Sequence, residues 1–269
     1  MNIKFSDAFT NFTHKLYRAR MQRQRKSLRW NPALISPDDT FIVSYPRSGN
    51  TWMRYLLANL LMPGEEWNIT NIGRVVPDIH EELPKNMAEV ERRVLKSHKP
   101  YQSDYPRVIY LYRDGRDVCI SYYDFIKKLK GYEGSFETYL NEWLEGKFPY
   151  GSWRDHVSSW LFENQCSALL QIRYEDLYEN AVKELKRIRN FLGSGWDEFL
   201  IESAVAKSSL GKFRKDYYKY KRQSHWDKEF TGGIQCGPGN WRNVFDDKQN
   251  DMFWRRCGDI AEQLGYERF

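Results

Sequence analysis

The sequence predicts an α/β fold, because segments with strand patterns alternate along the chain with segments of helical periodicity. Short β-branched and aromatic runs bounded by turn residues are typical of buried strands, whereas apolar residues three and four positions apart are typical of helices. The predicted strands lie within residues 41–43, 93–100, 106–112 and 168–174. The predicted helices lie within residues 50–60, 114–125, 135–146, 152–164, 180–192, 196–207 and 247–264.

Length and composition favour one α/β domain of ordinary size. The chain has 269 residues, of which 41% are hydrophobic and 16% aromatic, enough for a sizeable core. It has no apolar run of about 18 residues and no apolar signal core, so neither a membrane span nor secretion is indicated. The four cysteines lack metal-site spacing and are expected to be reduced thiols. We therefore expect a soluble cytoplasmic protein.

The positive charge of the chain is concentrated near its start. Residues 15–29 hold seven of the 42 Lys and Arg residues and no acid, and the other residues sum to −1 (35 minus 36). The near-neutral body argues against a nucleic-acid partner. We predict a basic helical arm over residues 1–35, followed by a single domain over residues 36–269. The arm either contacts an anionic surface or partner peripherally, or packs on the body with a solvated basic end.

The segment 41–52 has the pattern strand, tight turn, helix, and its turn suits a bound phosphate. Arg47 supplies a fixed cation, and Gly49 allows the backbone to close on an anion. The first N–H groups of a helix and its dipole favour negative charge at the same place. Ordinary strand-to-helix turns also favour Ser, Gly and Asn, and the Walker pattern Gly-x-x-x-x-Gly-Lys-Ser/Thr is absent.

Two further segments place polar residues where predicted strands end. His98 lies at the end of the predicted strand within residues 93–100 and precedes Pro100, so it is a candidate general base. None of the other four histidines has comparable neighbours in the sequence. Arg113 ends another strand, and Asp114 can cap the helix that follows, on which Ser121 lies eight residues beyond the arginine. Arg113 and Ser121 are able to turn towards one anion. The alternative for His98 is an ordinary surface histidine at a strand end. The alternative for the Arg–Asp-rich turn at residues 113–117 is a surface salt-bridge cluster.

Together these motifs resemble those of the sulfotransferases. Their phosphosulfate loop is Tyr-Pro-Lys-Ser-Gly-Thr-Thr-Trp, and here Arg47 replaces the lysine and Asn50 replaces the first of the two threonines. Their Lys-Thr-His-x-Pro motif and their 3′-phosphate motif Arg-x-x-x-Asp-Val-x-x-Ser-Tyr-Tyr also have counterparts, as does Tyr-Glu-Asp-Leu. The matching positions are Tyr45, Pro46, Ser48, Gly49, Thr51, Trp52, Lys96, His98, Pro100, Arg113, Asp117, Val118, Ser121, Tyr122, Tyr123, Tyr174, Glu175, Asp176 and Leu177.

The resemblance covers about residues 41–265 and implies both a fold and a reaction. The fold is a three-layer, P-loop NTPase-like arrangement, a parallel sheet flanked by helices. The reaction is transfer of the sulfuryl group of 3′-phosphoadenosine 5′-phosphosulfate (PAPS) to a small-molecule acceptor, without a metal. His98 is the implied base, Arg47 stabilises the leaving phosphate, and Lys96 holds the sulfuryl oxygens. The implied cofactor-binding residues are Arg47, Ser48, Gly49, Asn50, Thr51, Trp52, Arg113, Ser121, Tyr174, Ser209, Leu210, Gln235, Cys236 and Gly237.

The last third of the chain departs from the family pattern. The family has Arg-Lys-Gly before Gly-Asp-Trp, whereas this chain has Ile234, Gln235 and Cys236 there, so a cation for the 3′-phosphate is missing. Either a basic residue of the stretch 212–222 replaces it, or Arg113 and Ser121 bind that phosphate alone. The stretch itself is either a lid or a solvated helix. Leu210 stands where the family often has an aromatic residue.

Other questions stay open at the level of sequence. A nucleotide-dependent kinase is the alternative enzyme, although a Walker lysine and an acid for Mg²⁺ are not evident. A nucleotide- or nucleic-acid-binding module is the non-catalytic alternative. The acceptor is a ring-bearing or alkaloid molecule or a sugar, sulfated on oxygen or nitrogen, and residues 147–151 are candidates to line its pocket. The oligomeric state, monomer or homodimer, is left open, and the family's dimer motif is not present in residues 242–251.

Overall fold

The structure is a computed structural model that describes residues 35–81, 90, 92–163, 166, 168–212, 215 and 237–269. The predicted basic arm, except for its last residue, lies outside the described residues. So do Gln235, Cys236 and most of the basic stretch 212–222.

Within the described residues, four parallel strands form the central sheet, in the order β2-β1-β3-β4. This confirms the four predicted strands and the parallel pairing that the resemblance implied. Parallel neighbours need crossover connections, which helices supply here. The strands are β1 (Thr40–Val43), β2 (Val94–Ser97), β3 (Arg107–Tyr112) and β4 (Leu169–Arg173).

The predicted helices are confirmed within the described part of the chain. Most begin at a polar side chain that accepts a hydrogen bond from a first-turn N–H, which satisfies a group that has no partner within the helix. A short helix after β4 was not predicted. The helices are α1 (Asn50–Leu61), α2 (Gly115–Lys130), α3 (Phe136–Leu144), α4 (Trp153–Leu161), α5 (Tyr174–Glu179), α6 (Ala181–Leu192), α7 (Glu198–Lys207) and α8 (Asp247–Gln263).

The sheet separates two hydrophobic cores, so the domain has three layers. Successive side chains of a strand point to opposite faces. Phe41 and Val43 of β1 pack with α2, α3, α4 and α8, whereas Ile42 packs with α1, α6 and α7. The tryptophans of α3 and α4 are fully buried in the first core: Trp143, Trp153 and Trp160.

The strand order creates one crevice at the carboxyl edge of the sheet. The chain passes from β1 through α1 to β2 on one side, and then crosses to β3 on the other side of β1. Ligands of open α/β sheets bind where the strand order reverses in this way. The residues that directly follow the four strands are Ser44, His98, Arg113 and Tyr174.

The Arg–Asp turn after β3 is buried, which excludes the surface salt-bridge cluster considered above. Arg116 is 1% exposed, lies 2.8 Å from the carboxylate of Asp114 and stacks 3.4 Å from the ring centre of Trp241. It also donates to the carbonyl oxygens of Glu267 and Arg268. A buried cation persists only when it is paired and hydrogen-bonded. Arg116 therefore fastens the C-terminal segment to α2.

We predict that Phe41→Ala destabilises the protein by about 3–5 kcal/mol, because Phe41 is fully buried in the central strand and stacks on Tyr105 with ring centres 3.7 Å apart. Urea unfolding measures the change. Phe199→Ala is the matched control, since Phe199 on α7 is 81% exposed and its truncation is expected to change stability by less than about 0.5 kcal/mol. Equal effects of the two substitutions would contradict the described core.

Candidate active site

The turn between β1 and α1 has a shape that only certain residues permit. Arg47 and Gly49 both have positive φ, at 74° and 101°. A non-glycine residue in this region carries strain of order 1 kcal/mol, which the surrounding contacts must offset. A Cβ at position 49 would lie 2.5 Å from Cδ2 of Tyr174, so glycine is also required for space. The side chain of Tyr174, directly after β4, thus restricts position 49 in the turn after β1 to glycine.

The same turn presents hydrogen-bond donors that suit a phosphate group. Helix α1 has no acidic residue in its first turn, and no side chain among the described residues caps it. Ser48 is fully buried, and within the described part of the chain its hydroxyl has no hydrogen-bond partner. A buried polar group without a partner costs about 1–3 kcal/mol. The residues present therefore fit an anionic group that accepts from Ser48 and from the first N–H groups of α1.

A side-chain contact joins the two motifs that the sequence assigned to separate phosphates. Nε of Arg47 donates to Oγ of Ser121 over 3.1 Å, although 74 residues separate them in the chain. The guanidinium of Arg47 also lies 5.2 Å from the ring centre of Phe125, on the same helix α2. The turn after β1 therefore contacts the face of α2 that carries Ser121 and Phe125.

Arg113 is held rigidly beside this place. It is 4% exposed, pairs with Asp117 at 3.6 Å, donates to the carbonyl oxygen of Gly237 over 3.0 Å and lies 4.3 Å from the ring centre of Tyr174. Its Nε is buried and, among the described residues, has no hydrogen-bond partner. A guanidinium with a donor to spare fits a second anionic group.

The segment 237–241 is held against α2 by Asp117. The carboxylate of Asp117 accepts from the N–H groups of Gly239 and Trp241, over 2.7 and 2.9 Å. Burial raises the pKa of Asp117, and the nearby Arg113 opposes that shift. The resemblance implied that Gly237 binds the cofactor. The hydrogen bonds to Asp117 explain why Gly237 lies close to Arg113.

His98 has a defined tautomer. Its Nδ1 lies 2.6 Å from the carbonyl oxygen of Ser44, and because a carbonyl only accepts, Nδ1 carries the proton. The lone pair of a neutral ring is then on Nε2. Burial, followed by the positive charge of Lys96, holds the pKa of His98 well below its usual value. The ring is therefore neutral near pH 7 and able to accept a proton at Nε2.

Lys96 lies in a buried ion pair whose partner the sequence analysis missed. Its Nζ is 2.5 Å from Oδ2 of Asp78, and both side chains are 9% exposed. Burial lowers the pKa of Lys96, and Asp78 opposes this. Burial also works against the charged form of Asp78, but Lys96 and His80 outweigh it and lower the pKa of that carboxyl. Asp78 fixes where the ammonium group lies.

Two other histidines lie around His98 in the fold, which sequence analysis did not predict. The N–H of His98 donates to Nε2 of His80 over 2.8 Å, and Nε2 of His156 lies 3.1 Å from the carbonyl oxygen of His98. The ring of Tyr150 lies 5.6 Å from that of His98 and 5.2 Å from that of His80, between ring centres. These contacts join segments far apart in sequence, which local patterns do not reveal.

Trp52, Tyr174 and Leu210 belong to the core on the other face of the sheet. Trp52 donates to the carbonyl oxygen of Ser208 over 2.8 Å and meets Tyr174 edge to face, with ring centres 6.0 Å apart. Leu210 packs against the same core, and Ser209 is exposed next to it. These implied cofactor-binding residues are therefore close together, whereas Gln235 and Cys236 lie outside the described residues.

The described residues contain neither a cluster of potential metal ligands nor a helix suited to a bilayer. In the ranges given above, no cluster of three or more His, Cys, Asp or Glu side chains is placed to hold a metal ion. No helix in the same ranges combines the length and apolar character that crossing a bilayer requires.

Comparison with known proteins identifies relatives over most of the chain. Residues 37–265 match the model of the sulfotransferase domain family. Sulfotransferase 1A1 of Rattus norvegicus is 30% identical over 239 residues, which is 81% of this chain and 82% of the relative.

Solved structures share the fold. Mouse sulfotransferase SULT7A1, complexed with PAP, superposes with a TM-score of 0.63 at 22% identity, over 86% of this chain and 89% of the other. Retinol dehydratase, in complex with androsterone and the inactive cofactor PAP, gives a TM-score of 0.70 at 18% identity, over 85% and 82% of the two chains. These likenesses establish the three-layer α/β fold.

We predict that the free energy of unfolding falls as the pH drops from 6.5 to about 4. Burial lowers the pKa of both His80 and His156 from 6.5 to about 4. Between these values the unfolded chain binds more protons than the folded one, so stability rises with pH by about 1.4 kcal/mol per unit for each histidine and levels off above 6.5.

Urea unfolding of wild type and of the double variant His80→Gln/His156→Gln between pH 4 and 8 isolates the two rings from other titrating groups. The variant should have a shallower slope below pH 6.5 and an unchanged slope above it. Identical slopes in both proteins would contradict the burial of neutral imidazoles.

Proposed function

The chain belongs to the sulfotransferase domain family, and on that premise we propose how its residues serve PAPS-dependent sulfuryl transfer. As a member of the family it is an enzyme of this class, and the kinase alternative is not supported. The observation that carries the residue-level proposal is the contact between Arg47 and Ser121, which joins both phosphate motifs at the crevice. His98 follows the neighbouring strand at the same edge of the sheet.

The proposed cofactor site includes two donors that lack partners among the described residues, the Ser48 hydroxyl and Nε of Arg113. The first N–H groups of α1, the Ser48 hydroxyl and Arg47 bind the 5′-phosphosulfate. Arg113 and Ser121 bind the 3′-phosphate, and Trp52 and Tyr174 contact the adenine. Solved relatives of this fold carry PAP, the product of PAPS. Fixed cations here perform the charge neutralisation that Mg²⁺ performs in phosphoryl transfer.

The proposed chemistry assigns one task to each polar group. PAPS supplies the sulfuryl group, carried on a phosphate leaving group. His98 accepts the proton of the acceptor at Nε2, the nitrogen that the Ser44 contact leaves basic. Arg47 stabilises charge on the leaving oxygen but does not give it a proton, because guanidinium groups do not deprotonate in proteins. Lys96 holds the sulfuryl oxygens, with its position set by Asp78.

The acceptor in this proposal is a small molecule with a hydroxyl or amine. The rings of Tyr150 and His80 lie beside His98, and such flat apolar surfaces favour a ring-bearing acceptor over a polar chain. Tyr150 belongs to the segment 147–151 that the sequence suggested for this pocket. A cytoplasmic location, a peripheral contact through the basic arm, and a monomeric or homodimeric state complete the proposal.

We predict that His98→Gln lowers turnover by at least about 100-fold, because the glutamine amide cannot accept the proton of the acceptor. The assay follows PAP formation from PAPS with a panel of phenols, alcohols and amines. Calorimetric binding of PAP to the same variant is the control and should stay close to wild type. Turnover at the wild-type rate would exclude His98 as the base.

We predict that Arg113→Gln weakens binding of PAP by about 10- to 100-fold and leaves binding of 5′-AMP nearly unchanged, since a charge-assisted hydrogen bond contributes about 1.5–3 kcal/mol. Arg107→Gln is the matched control at the opposite end of β3, where Arg107 donates to the carbonyl oxygen of Phe191. Calorimetry with both ligands measures the effect. Equal loss of both ligands, or the same loss in the control, would contradict the assignment of the 3′-phosphate.

A further inference from the structure

The peptide group of His98 is held on both sides by other histidine rings. Its N–H donates to Nε2 of His80 over 2.8 Å, and its carbonyl oxygen lies 3.1 Å from Nε2 of His156. Strand β2 ends at Ser97, so His98 lies just beyond the regular sheet hydrogen bonds. Buried backbone groups need partners, and these two rings provide them.

The donors and acceptors fix the proton on each ring. A backbone N–H only donates, so Nε2 of His80 is unprotonated and the neutral ring carries its proton on Nδ1. A backbone carbonyl only accepts, so Nε2 of His156 is protonated. The Tyr110 hydroxyl lies 2.9 Å from Nδ1 of His156 and donates to it. The two rings are thus opposite tautomers, one accepting and one donating.

Both rings are themselves positioned by surrounding contacts. Asp78 forms an isolated bridge to Lys96 of β2 and accepts from the N–H of His80 over 2.9 Å. The ring of His80 is nearly parallel to that of His98, with an angle of 11° between planes and 6.1 Å between centres. His156 is 1% exposed on α4 and meets Tyr45 edge to face at 5.5 Å.

We propose that His80 and His156 are positioning residues that set the place of the general base His98 by hydrogen-bonding its peptide group from opposite sides. The role of His98 as base is part of the proposed function, on which this inference rests. Misplacing a reacting group by about 1 Å can cost about 100-fold in rate. A neutral imidazole holds the peptide without adding charge, whereas a carboxylate at position 80 would raise the pKa of the base.

The first experiment reads the tautomers directly and needs no acceptor. The full-length protein is labelled with ¹⁵N-histidine, and long-range ¹H–¹⁵N spectra are recorded at pH 7. The variants His80→Gln, His98→Gln and His156→Gln assign the signals. We expect the Nδ1–H tautomer for His80 and His98, and the Nε2–H tautomer for His156. His80 in the Nε2–H form, or His156 in the Nδ1–H form, would overturn the proposal.

The second experiment separates positioning from general stability. His80→Leu and His156→Leu remove the hydrogen bond to the peptide, and we expect kcat to fall about 10- to 100-fold with PAP binding unchanged. His80→Gln and His156→Gln retain an acceptor or donor near the Nε2 position and should recover most of this loss. Tyr105→Phe is the control, because it removes a buried hydrogen bond to Ser97, one residue before His98, and should leave kcat near wild type.

The outcomes distinguish this inference from the proposed function. Expected tautomers in a wild-type protein that forms no PAP from PAPS would refute the proposed function and leave the peptide contacts standing. An active wild type whose leucine variants keep full kcat would refute positioning by the two histidines. Loss of kcat in the leucine variants with recovery in the glutamine variants supports it.

Discussion

Parallel pairing of β1 with β2, in the register that sets Val43 opposite Ser97, is the constraint on which the site depends. Ser44 directly follows β1 and His98 directly follows β2, so the carbonyl oxygen of Ser44 lies next to the imidazole of His98. Pairing of β1 with β3 brings Arg113 to the same edge. A shift of this register by one residue would turn every side chain to the other face and separate the proposed base from the turn proposed to bind phosphate.

Burial and positive charge act together at this edge. Burial and the positive charge of Lys96, the residue proposed to hold the sulfuryl oxygens, both oppose protonation of His98. A cation that suits an anionic cofactor therefore also keeps the proposed base in its neutral, proton-accepting form. Asp78 offsets part of this charge and holds Lys96 in place. Removal of the Asp78 carboxylate would leave the buried ammonium group of Lys96 unpaired, which is costly in a medium of low dielectric constant.

The parts of the fold that depend on local pattern were predictable from the sequence. The four strands, the helices and the capping role of Asp114 follow from periodicity and cap residues, and the structure confirms them. The contact between Arg47 and Ser121 was not predicted, because no local rule relates residues 74 positions apart.

The histidines around His98 show where the sequence stops being informative. His156 left a signal that was not used, since it shares one face of α4 with Trp153, Val157 and Trp160, a spacing at which a polar residue is buried. The sequence gives no comparable signal for His80. His80 lies in an irregular segment, and its contact with His98 follows from the bridge between Asp78 and Lys96, which only the folded chain reveals.

The most direct test of the account is a crystal structure of the protein with PAP bound in the presence of EDTA. The account predicts the 5′-phosphate in the turn at residues 47–51, the 3′-phosphate against Arg113 and Ser121, and Nε2 of His98 facing the 5′-phosphate. A nucleotide bound elsewhere, or with its phosphates exchanged between the two motifs, would contradict it.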